Sequence, residues 1–242
     1  MIKTIYIIIL SYFILGAIGF YFINRKKEKA DARRNRTKYI TYFLIIHILF
    51  FSIVLHPLLF RILAVAIILT GFSELCILFR RSSYSHKKFF ILAAFSFLLF
   101  AAGLFYFSGM QTGIVLFSFL ILSIFDSFSQ ISGQLFGKTR VMPKVSPNKT
   151  VEGLAGGALI ALISAFLLRN LVNAAVMEIL AVALGIIFFA FVGDLSASYY
   201  KRRYNAKDFS NFIPGHGGIL DRFDSLIFGG TWVALYELVI NI

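Results

Sequence analysis

The stretch GDLSASYYKRRYNAKDFSNFIPGHGGILDRFDS, residues 193–225, separates two apolar segments near the C-terminus and decides how the chain is organised. The apolar run of residues 179–192 leads directly to Asp194, and the chain turns apolar again at Leu226. A polar, basic insert between long apolar runs is typical of a connection at a membrane surface. The stretch therefore predicts that two membrane-spanning helices meet a polar site at one membrane face.

The carboxylates of this stretch fall at helical spacings. Asp194, Ser198 and Lys201 are spaced i, i+4, i+7, so a helix presents them on one face. Asp221 and Asp224 are spaced i, i+3 and also point the same way on a helix. Three carboxylates beside several Lys and Arg residues at a membrane surface suit a site that holds Mg²⁺ and phosphate groups together.

The composition excludes a soluble globular domain. Of the 242 residues, 59% are hydrophobic and only 14% are charged, whereas soluble domains carry roughly a quarter charged residues. The net charge of +13 is compatible with nucleic-acid binding, but the basic residues lie in short connections between apolar runs. That pattern is typical of membrane topology and contact with anionic lipid. We therefore expect membrane lipid, and no nucleic acid, as a partner.

The predicted fold is an all-α integral membrane protein, a polytopic bundle of about eight transmembrane helices with a cytoplasm-facing polar site. Each candidate span has about the 17–25 residues that a spanning helix needs. The spans are residues 4–23, 39–57, 60–79, 89–107, 112–131, 153–170, 176–195 and 226–242. Residues 1–108 form N-terminal transmembrane helices with basic cytoplasmic linkers, and residues 109–242 form the expected catalytic transmembrane region.

The distribution of basic residues predicts the orientation of the bundle. With eight spans, 21 of the 24 Lys and Arg residues fall on one side, and only Lys3, Arg61 and Arg169 fall on the other. Basic residues accumulate in cytoplasmic connections, so we expect a multi-pass protein of the cell (inner) membrane with its active site on the cytoplasmic side. The basic segment of residues 24–38 is interpreted as a linker that determines this topology.

A second polar constellation follows the fifth predicted span. Asp126, Gln130, Gly133 and Gly137 fall on one stripe of a helix. A carboxylate near the end of a lipid-embedded helix usually faces a polar cavity or a partner. The two glycines permit close approach by a neighbouring helix or a nucleotide, and helix packing is the favoured interpretation.

The basic connection after this stripe has the features of a phosphate site. Ser146 followed by Pro147 suits the N-cap and first position of the next helix. A helix N-terminus with Lys149 and Thr150 nearby would attract phosphate. Elsewhere, Glu74 lies in the middle of the third span, where two interpretations stay open: a bundle-interior residue paired with a polar neighbour, which is favoured, or part of a lipid cavity.

The polar stretch contains a string of residues that occur together in one family. The string reads Ser198-x-x-Lys201-Arg202, Lys207-Asp208 and Pro214-Gly215-His216-Gly217-Gly218-x-x-Asp221-Arg222-x-Asp224. It resembles the motif of the phosphatidate cytidylyltransferases (CDP-diacylglycerol synthases), and its length makes a chance match very rare. Asp126, residues 133–138 and residues 146–153 resemble a second motif of the same family.

The chain departs from the family pattern at several positions. Ala197 stands where many members carry a glutamate, and Asn148 replaces the first lysine of a lysine pair. Ser129 and Gln130 replace a more usual Ala-Tyr. These departures leave open a member with an altered substrate or a reduced activity.

The resemblance implies that the protein joins CTP and phosphatidic acid to give CDP-diacylglycerol and pyrophosphate, with Mg²⁺ as the divalent metal and with a homodimer as a possible assembly. It implies catalytic roles for Asp194, Lys201, His216, Asp221 and Arg222; substrate binding by Asp126, Lys138, Ser146, Lys149, Thr150, Glu152, Ser198, Arg202, Lys207, Gly217 and Gly218; and metal binding by Asp194, Asp221 and Asp224.

Two alternative functions remain. A CTP-dependent lipid-alcohol kinase of the polyprenol type shares parts of the motif set but transfers the terminal phosphate and releases CDP. A non-enzymatic membrane transporter or scaffold would use intramembrane aspartates for ion coupling. The complete string from His216 to Asp224 disfavours the kinase, and the second alternative offers no reason for that string.

Overall fold

The fold is a bundle of α-helices with one short hairpin. The computed structural model describes residues 2–25, 28–172, 174–213 and 217–240. The α-helices in these ranges are α1 (Ile2–Asn24), α2 (Lys29–Leu55), α3 (Pro57–Arg81), α4 (Lys87–Phe107), α5 (Thr112–Phe136), α6 (Val151–Leu167), α7 (Val176–Arg203) and α8 (Leu220–Ile240). Strands β1 (Arg140–Met142) and β2 (Ser146–Thr150) form an antiparallel hairpin between α5 and α6, and a 3₁₀ helix (Arg169–Leu171) follows α6.

The helices confirm the predicted all-α polytopic membrane fold. In the described part of the chain, seven helices are long and apolar enough to cross a membrane, which indicates a multi-pass membrane protein. The remaining helix, α6, has 17 residues and corresponds to the sixth predicted span. It therefore lies at the lower limit of the length that a spanning helix needs.

The packing of α6 along α5 shows how this shorter helix covers the same depth. At one end, an added Cβ on Gly133 would lie 3.6 Å from the Cα of Gly153. At the other end, a Cβ on Gly113 would collide with the carbonyl oxygen of Leu171. Since Gly113 and Gly133 are separated by about 30 Å along an α-helix, α6 and the 3₁₀ turn together match the thickness of the hydrocarbon core.

Several helices extend beyond the predicted spans, and α2, α7 and α8 do so by six residues or more at one end. Helix α2 begins at Lys29, so most of the segment predicted as a linker, residues 24–38, is helical. Helix α7 continues to Arg203, and α8 begins at Leu220 instead of residue 226. Lys, Arg, Glu and Ala favour helix, and a helix does not have to end where its apolar part ends. As a result, Ser198, Lys201, Asp221 and Asp224 lie on the ends of helices.

Helix α5 is the centre of the bundle. Every residue from Ile114 to Phe125 is buried, and α5 packs against α1, α2, α6, α7 and α8. A helix that is apolar on all sides is expected only where neighbours surround it completely. Asp126, which directly follows this buried run, is half-buried, whereas Gln130 and Gln134 nearer the end of α5 are exposed.

Small residues set the closest helix contacts. An added Cβ on Gly157 of α6 would collide with the hydroxyl of Ser129 on α5, and Gly133 faces Gly153. The packing interpretation of Gly133 is thereby confirmed. On α7, a Cβ on Gly193 would lie 2.8 Å from the carbonyl oxygen of Asp224 on α8. A glycine at this crossing lets α8 pass close to α7, directly beside Asp194.

Candidate active site

The polar ends of α5, α7 and α8 and the hairpin bring charged residues together from four elements. Asp126 of α5 interacts electrostatically with Asp194 of α7, with Asp224 and Arg222 of α8, and with Lys149 of β2. Asp224 also interacts with Asp194. The structure thus gathers residues from both sequence motifs, which lie far apart in the chain, into one cluster.

Asp194 is held by a cation and a hydroxyl. The Nζ of Lys149 lies 2.6 Å from Oδ2 of Asp194, and the Oγ of Ser198 donates a hydrogen bond to Oδ1 over 3.3 Å. The second contact confirms that Asp194 and Ser198 share a helix face. Lys149 also lies 4.8 Å from the ring centre of Phe191, a cation–π distance. Lys149 and Asp194, predicted to bind phosphate and metal respectively, neutralise each other in this state.

Asp221 is the most strongly held carboxylate of the cluster. The Nζ of Lys201 lies 2.5 Å from its Oδ1, and the side chains are only 10% and 2% exposed. Its Oδ2 accepts hydrogen bonds from the backbone N–H groups of Phe209 and Gly218, each over 2.8 Å. Gly217 adopts φ +83, which glycine tolerates best. Asp221 therefore organises the loop between α7 and α8.

Asp224 is buried, with 6% of its surface exposed, and its Oδ1 accepts the N–H of Ser225 over 2.7 Å. A buried carboxylate is costly unless cations or hydrogen bonds compensate it. The charges that act favourably on Asp224 are those of Lys201 and Arg222. Asp224 thus lies at the inner side of the cluster, whereas Arg222 is exposed at its outer side.

The hairpin corrects one prediction about the start of α6. Ser146 and Pro147 lie in β2, so they are not the N-cap and first residue of a helix. The N-cap is Thr150, whose Oγ1 accepts the N–H of Gly153 over 3.1 Å. Pairing of Thr150 with Arg140 across the hairpin keeps the chain extended up to that residue. A capping hydroxyl acts only directly before the first helical turn, which places the helix start four residues later.

Glu152 ties the first turn of α6 to the loop between α5 and β1. Its carboxylate accepts the backbone N–H of Lys138 over 3.0 Å and that of Thr139 over 3.1 Å. The N–H of Lys138, with those of Glu152 itself and Thr139, lowers the pKa of Glu152 to about 2. The structure therefore gives Glu152 a role in shaping the loop, and its predicted contact with substrate stays a prediction.

The remaining predicted cations surround the cluster. Arg202 donates hydrogen bonds to the carbonyl oxygens of Val145 and Ala206, which ties the hairpin to α7. Lys138 and Lys207 are exposed at the same polar end. His216, predicted to be catalytic, lies outside the described residues.

Two residues at the site were not predicted to contribute to it. Glu74 of α3 accepts hydrogen bonds from the loop before α8. Tyr42 of α2 donates a hydrogen bond to the carbonyl oxygen of Ser123 and interacts electrostatically with Asp126. These contacts support the favoured interpretation of Glu74 as a bundle-interior residue paired with polar neighbours. A carboxylate within an apolar span can be recognised as such a residue from the sequence. A tyrosine in an aromatic-rich helix carries no comparable signal.

The carboxylates fit a metal bound together with substrate. Among the described residues, no three His, Cys, Asp or Glu side chains converge closely enough to hold a metal ion by themselves. Mg²⁺ in phosphate-binding sites usually takes one or two carboxylates, with water and phosphate oxygens as the other ligands. Asp194 and Asp224 meet that requirement. Both oxygens of Asp194 and both oxygens of Asp221 already have partners, so a metal role would require Asp194 to leave Lys149 and Asp221 to leave Lys201.

Comparison with known proteins places this site in a family context. The chain is 42% identical over 116 residues to the phosphatidate cytidylyltransferase of Staphylococcus saprophyticus, a match that covers 47% of this chain and 45% of that protein. It is 45% identical over 105 residues to the protein of the same name from Bacillus subtilis, covering 43% of this chain and 39% of the relative. The matched part thus spans less than half the length of each relative.

A family profile described as "Cytidylyltransferase family" matches residues 83–240. The match includes more than half of the chain and all the charged residues of the cluster from α5, the hairpin, α7 and α8. Glu74 lies outside it. The chain therefore belongs to the cytidylyltransferase family, as its polar motifs predicted.

Proposed function

We propose that this protein transfers the cytidylyl group of CTP to phosphatidic acid, giving CDP-diacylglycerol and pyrophosphate, at the cytoplasmic face of the cell (inner) membrane. The observation that carries the proposal is the single cluster formed by Asp126, Lys149, Asp194, Arg222 and Asp224. It combines carboxylates with phosphate-binding cations at the polar end of a membrane bundle. Relatives named phosphatidate cytidylyltransferase are 42% and 45% identical to this chain over somewhat less than half of its length.

The reaction asks for positioning and charge neutralisation. An oxygen of the lipid phosphate attacks the α-phosphorus of CTP, and the bond from that phosphorus to the oxygen bridging to the β-phosphorus breaks. Pyrophosphate leaves with the electron pair of that bond. The attacking phosphate is already anionic near neutral pH, so no strong base is needed. The main barrier is repulsion between two anionic substrates, which fixed cations reduce while they hold the groups in line.

The cations of the cluster are placed to perform this task. Lys149 is bound to Asp194 in the free protein, and a phosphate that approaches Lys149 would compete with that carboxylate. Arg222 is exposed beside the buried Asp224, which leaves its guanidinium accessible to a phosphate. Lys138 and Lys207 are exposed at the same end and would attract the triphosphate from solution.

Bound Mg²⁺ would neutralise phosphate charge and stabilise the leaving pyrophosphate. Asp194 and Asp224 are the residues proposed to hold it. Substitution of Asp194 by Asn retains size and hydrogen bonding but removes the charge that balances a hard cation. We expect this variant to lose most of its turnover while it stays folded in detergent.

Ala197→Glu provides the informative contrast to that loss. It restores the residue that many family members carry beside Asp194. If the site functions without that carboxylate, turnover should change little. Near-normal rate and metal dependence in Asp194→Asn would show that the proposed metal ligands are wrong, even with the proposed reaction intact.

The location of the cluster suits both substrates. CTP is a cytoplasmic solute, and phosphatidic acid carries its phosphate at the surface of the membrane. A site at the ends of α5, α7 and α8 is reached by CTP from the aqueous side and by the lipid laterally. The basic residues of the proposed cytoplasmic connections would attract both anions.

The decisive experiment is incubation of the purified protein with CTP, Mg²⁺ and phosphatidic acid in detergent micelles. Both products are followed, the lipid by chromatography and pyrophosphate by a coupled assay. We expect CDP-diacylglycerol and pyrophosphate in equal amounts, and only with a divalent metal. Release of CDP with a phosphorylated lipid alcohol would instead establish the kinase, and no turnover with any lipid would favour the transporter or scaffold.

The family resemblance also leads us to propose a homodimer. Light scattering of the protein in detergent, corrected for bound detergent, would then give twice the mass of one chain. A single-chain mass at the concentration used for turnover would contradict this proposal.

A further inference from the structure

Glu74 is a buried carboxylate about two turns before the end of α3, with 5% of its surface exposed. A charged group in a membrane-spanning helix is costly unless strong partners compensate it. Within the described part of the chain it forms no ion pair. Its partners there are hydrogen-bond donors from the loop between α7 and α8 and from the first residue of α8.

Three donors converge on this carboxylate. Its Oε1 accepts the hydroxyl of Ser210 over 2.6 Å and the backbone N–H of Ile219 over 3.0 Å. Its Oε2 accepts the N–H of Leu220 over 2.7 Å. Leu220 is the first residue of α8, and the first N–H groups of a helix have no partner within it. Glu74 therefore caps α8 from another helix, and its negative charge also suits the positive end of the helix dipole.

The same turn is held from its other side by Asp221. The N–H of Gly218 donates to Asp221, and the next two N–H groups in the chain donate to Glu74. A Cβ added to Gly218 would lie 2.7 Å from the carboxylate carbon of Glu74. The turn thus has no room to shift between the two carboxylates. Since Asp221 in turn binds Lys201, the contact of α3 with the loop fixes a charged pair of the candidate site.

We propose that Glu74 is a positioning residue for the reaction, and that α3 contributes through it to the alignment of the site. The inference rests on the proposed function, but the contact itself can be tested without it. Glu74 lies before residue 83, where the match to the family profile begins. Its role follows from the tertiary contact alone.

The test compares two identical substitutions in different helices. In Glu74→Gln, an NH₂ group that cannot accept a hydrogen bond replaces one carboxylate oxygen, so the N–H of either Ile219 or Leu220 loses its partner. Glu178→Gln is the matched control, because Glu178 also accepts a backbone N–H at a helix N-terminus, that of Ala175 over 3.0 Å. It lies at the far end of α7 from the cluster.

Two quantities are measured on the full-length protein in micelles. The first is hydrogen exchange of the segment 209–222, which we expect to become about tenfold faster or more in Glu74→Gln, since a buried hydrogen bond is lost. The second is kcat per folded protein with CTP and phosphatidic acid, well below the melting temperature. We expect kcat to fall about tenfold to a hundredfold, because small misplacement of reacting groups has effects of this size. Glu178→Gln should change neither quantity.

Each outcome decides one point. Unchanged exchange of this segment in Glu74→Gln would overturn the inference whatever the activity, and faster exchange with unchanged kcat would overturn the positioning role. Should Glu74→Gln fail to fold, Gly218→Ala replaces it, because its Cβ displaces the same contact and the same two changes are expected. A wild-type protein without turnover would overturn the proposed function, and exchange alone would then decide whether Glu74 fixes the loop.

Discussion

Replacement of Lys201 by Met removes the cation that lies 2.5 Å from Oδ1 of Asp221. Methionine retains most of the length and the apolar part of the lysine side chain, so the packing against α8 is largely preserved. What changes is that a buried carboxylate loses its charge partner. The variant therefore measures the contribution of this ion pair to the fold.

The burial of Lys201 and Asp221 determines how much unfolding free energy the Lys201→Met variant loses. The two side chains are 10% and 2% exposed, so water cannot replace the lost partner. Two unit charges at this distance attract by about 7 kcal/mol at an effective dielectric constant of about 20, and desolvation of both groups offsets part of that. Breaking a buried pair by removing one partner costs about 3–5 kcal/mol. We expect Lys201→Met to be destabilised by that amount.

A double variant makes the reasoning sharper. In Asp221→Asn alone, the Lys201 charge is left buried without compensation, so this variant should lose stability as well. In Lys201→Met with Asp221→Asn, neither charge remains, and the Asn oxygen can still accept the N–H groups of Phe209 and Gly218. The double variant should therefore be more stable than either single variant.

The assay is equilibrium or thermal unfolding in a defined detergent, followed for all four proteins of the cycle. Lys207→Met is the control, because Lys207 is an exposed lysine of the same loop and surface substitutions usually change stability by less than about 0.5 kcal/mol. If the losses of the two single variants simply add in the double variant, the buried pair does not stabilise the site as described. A loss in Lys201→Met no larger than in Lys207→Met would refute it as well.

Three further predictions follow from other parts of the structure. Gly157→Ala should destabilise the α5–α6 contact by about 1–3 kcal/mol, because its Cβ has no space, and unfolding against the exposed control Ala155→Ser would measure this; equal stabilities would contradict it. The pKa of Glu152 is lowered from 4.5 to about 2, so its stabilisation of the hairpin is complete above about pH 4.5 and is lost as the pH falls towards 2. The protection of the amides of residues 138–150, measured relative to their intrinsic exchange rates, should therefore stay constant between pH 7 and 5, and a loss of protection in that range would argue against this. In a variant without the native cysteine, a cysteine at Lys144 should react with an impermeant reagent only from the cytoplasmic side and one at Gln111 only from outside, and the reverse pattern would invert the proposed orientation.

The sequence was sufficient for the class of fold and for the family. Apolar runs of about twenty residues have essentially one solution in lipid, a helix that satisfies its own backbone hydrogen bonds. The helical spacing of Asp194 and Ser198 likewise predicted their shared face, which the hydrogen bond between them confirms. These features depend on neighbours in sequence, so local patterns contain the required information.

Sequence patterns gave the wrong secondary structure for two polar segments. The Ser146-Pro147 pair has a composition suited to a helix start, but pairing with β1 extends the chain to Thr150. The segment of residues 24–38 has the charge of a linker, yet most of it is helix. In both cases the outcome depends on what the segment packs against, which composition does not specify.

Only the tertiary structure decided which charged groups meet. Spacing places Lys201 on a helix face but does not identify Asp221 as its partner, and nothing local links Glu74 to residues about 145 positions later, the N–H groups of Ile219 and Leu220. The periodicity of a helix determines the direction in which a side chain points relative to its own axis. The neighbour that it meets is determined by how the helices pack, and that arrangement depends on the shapes of all their surfaces together.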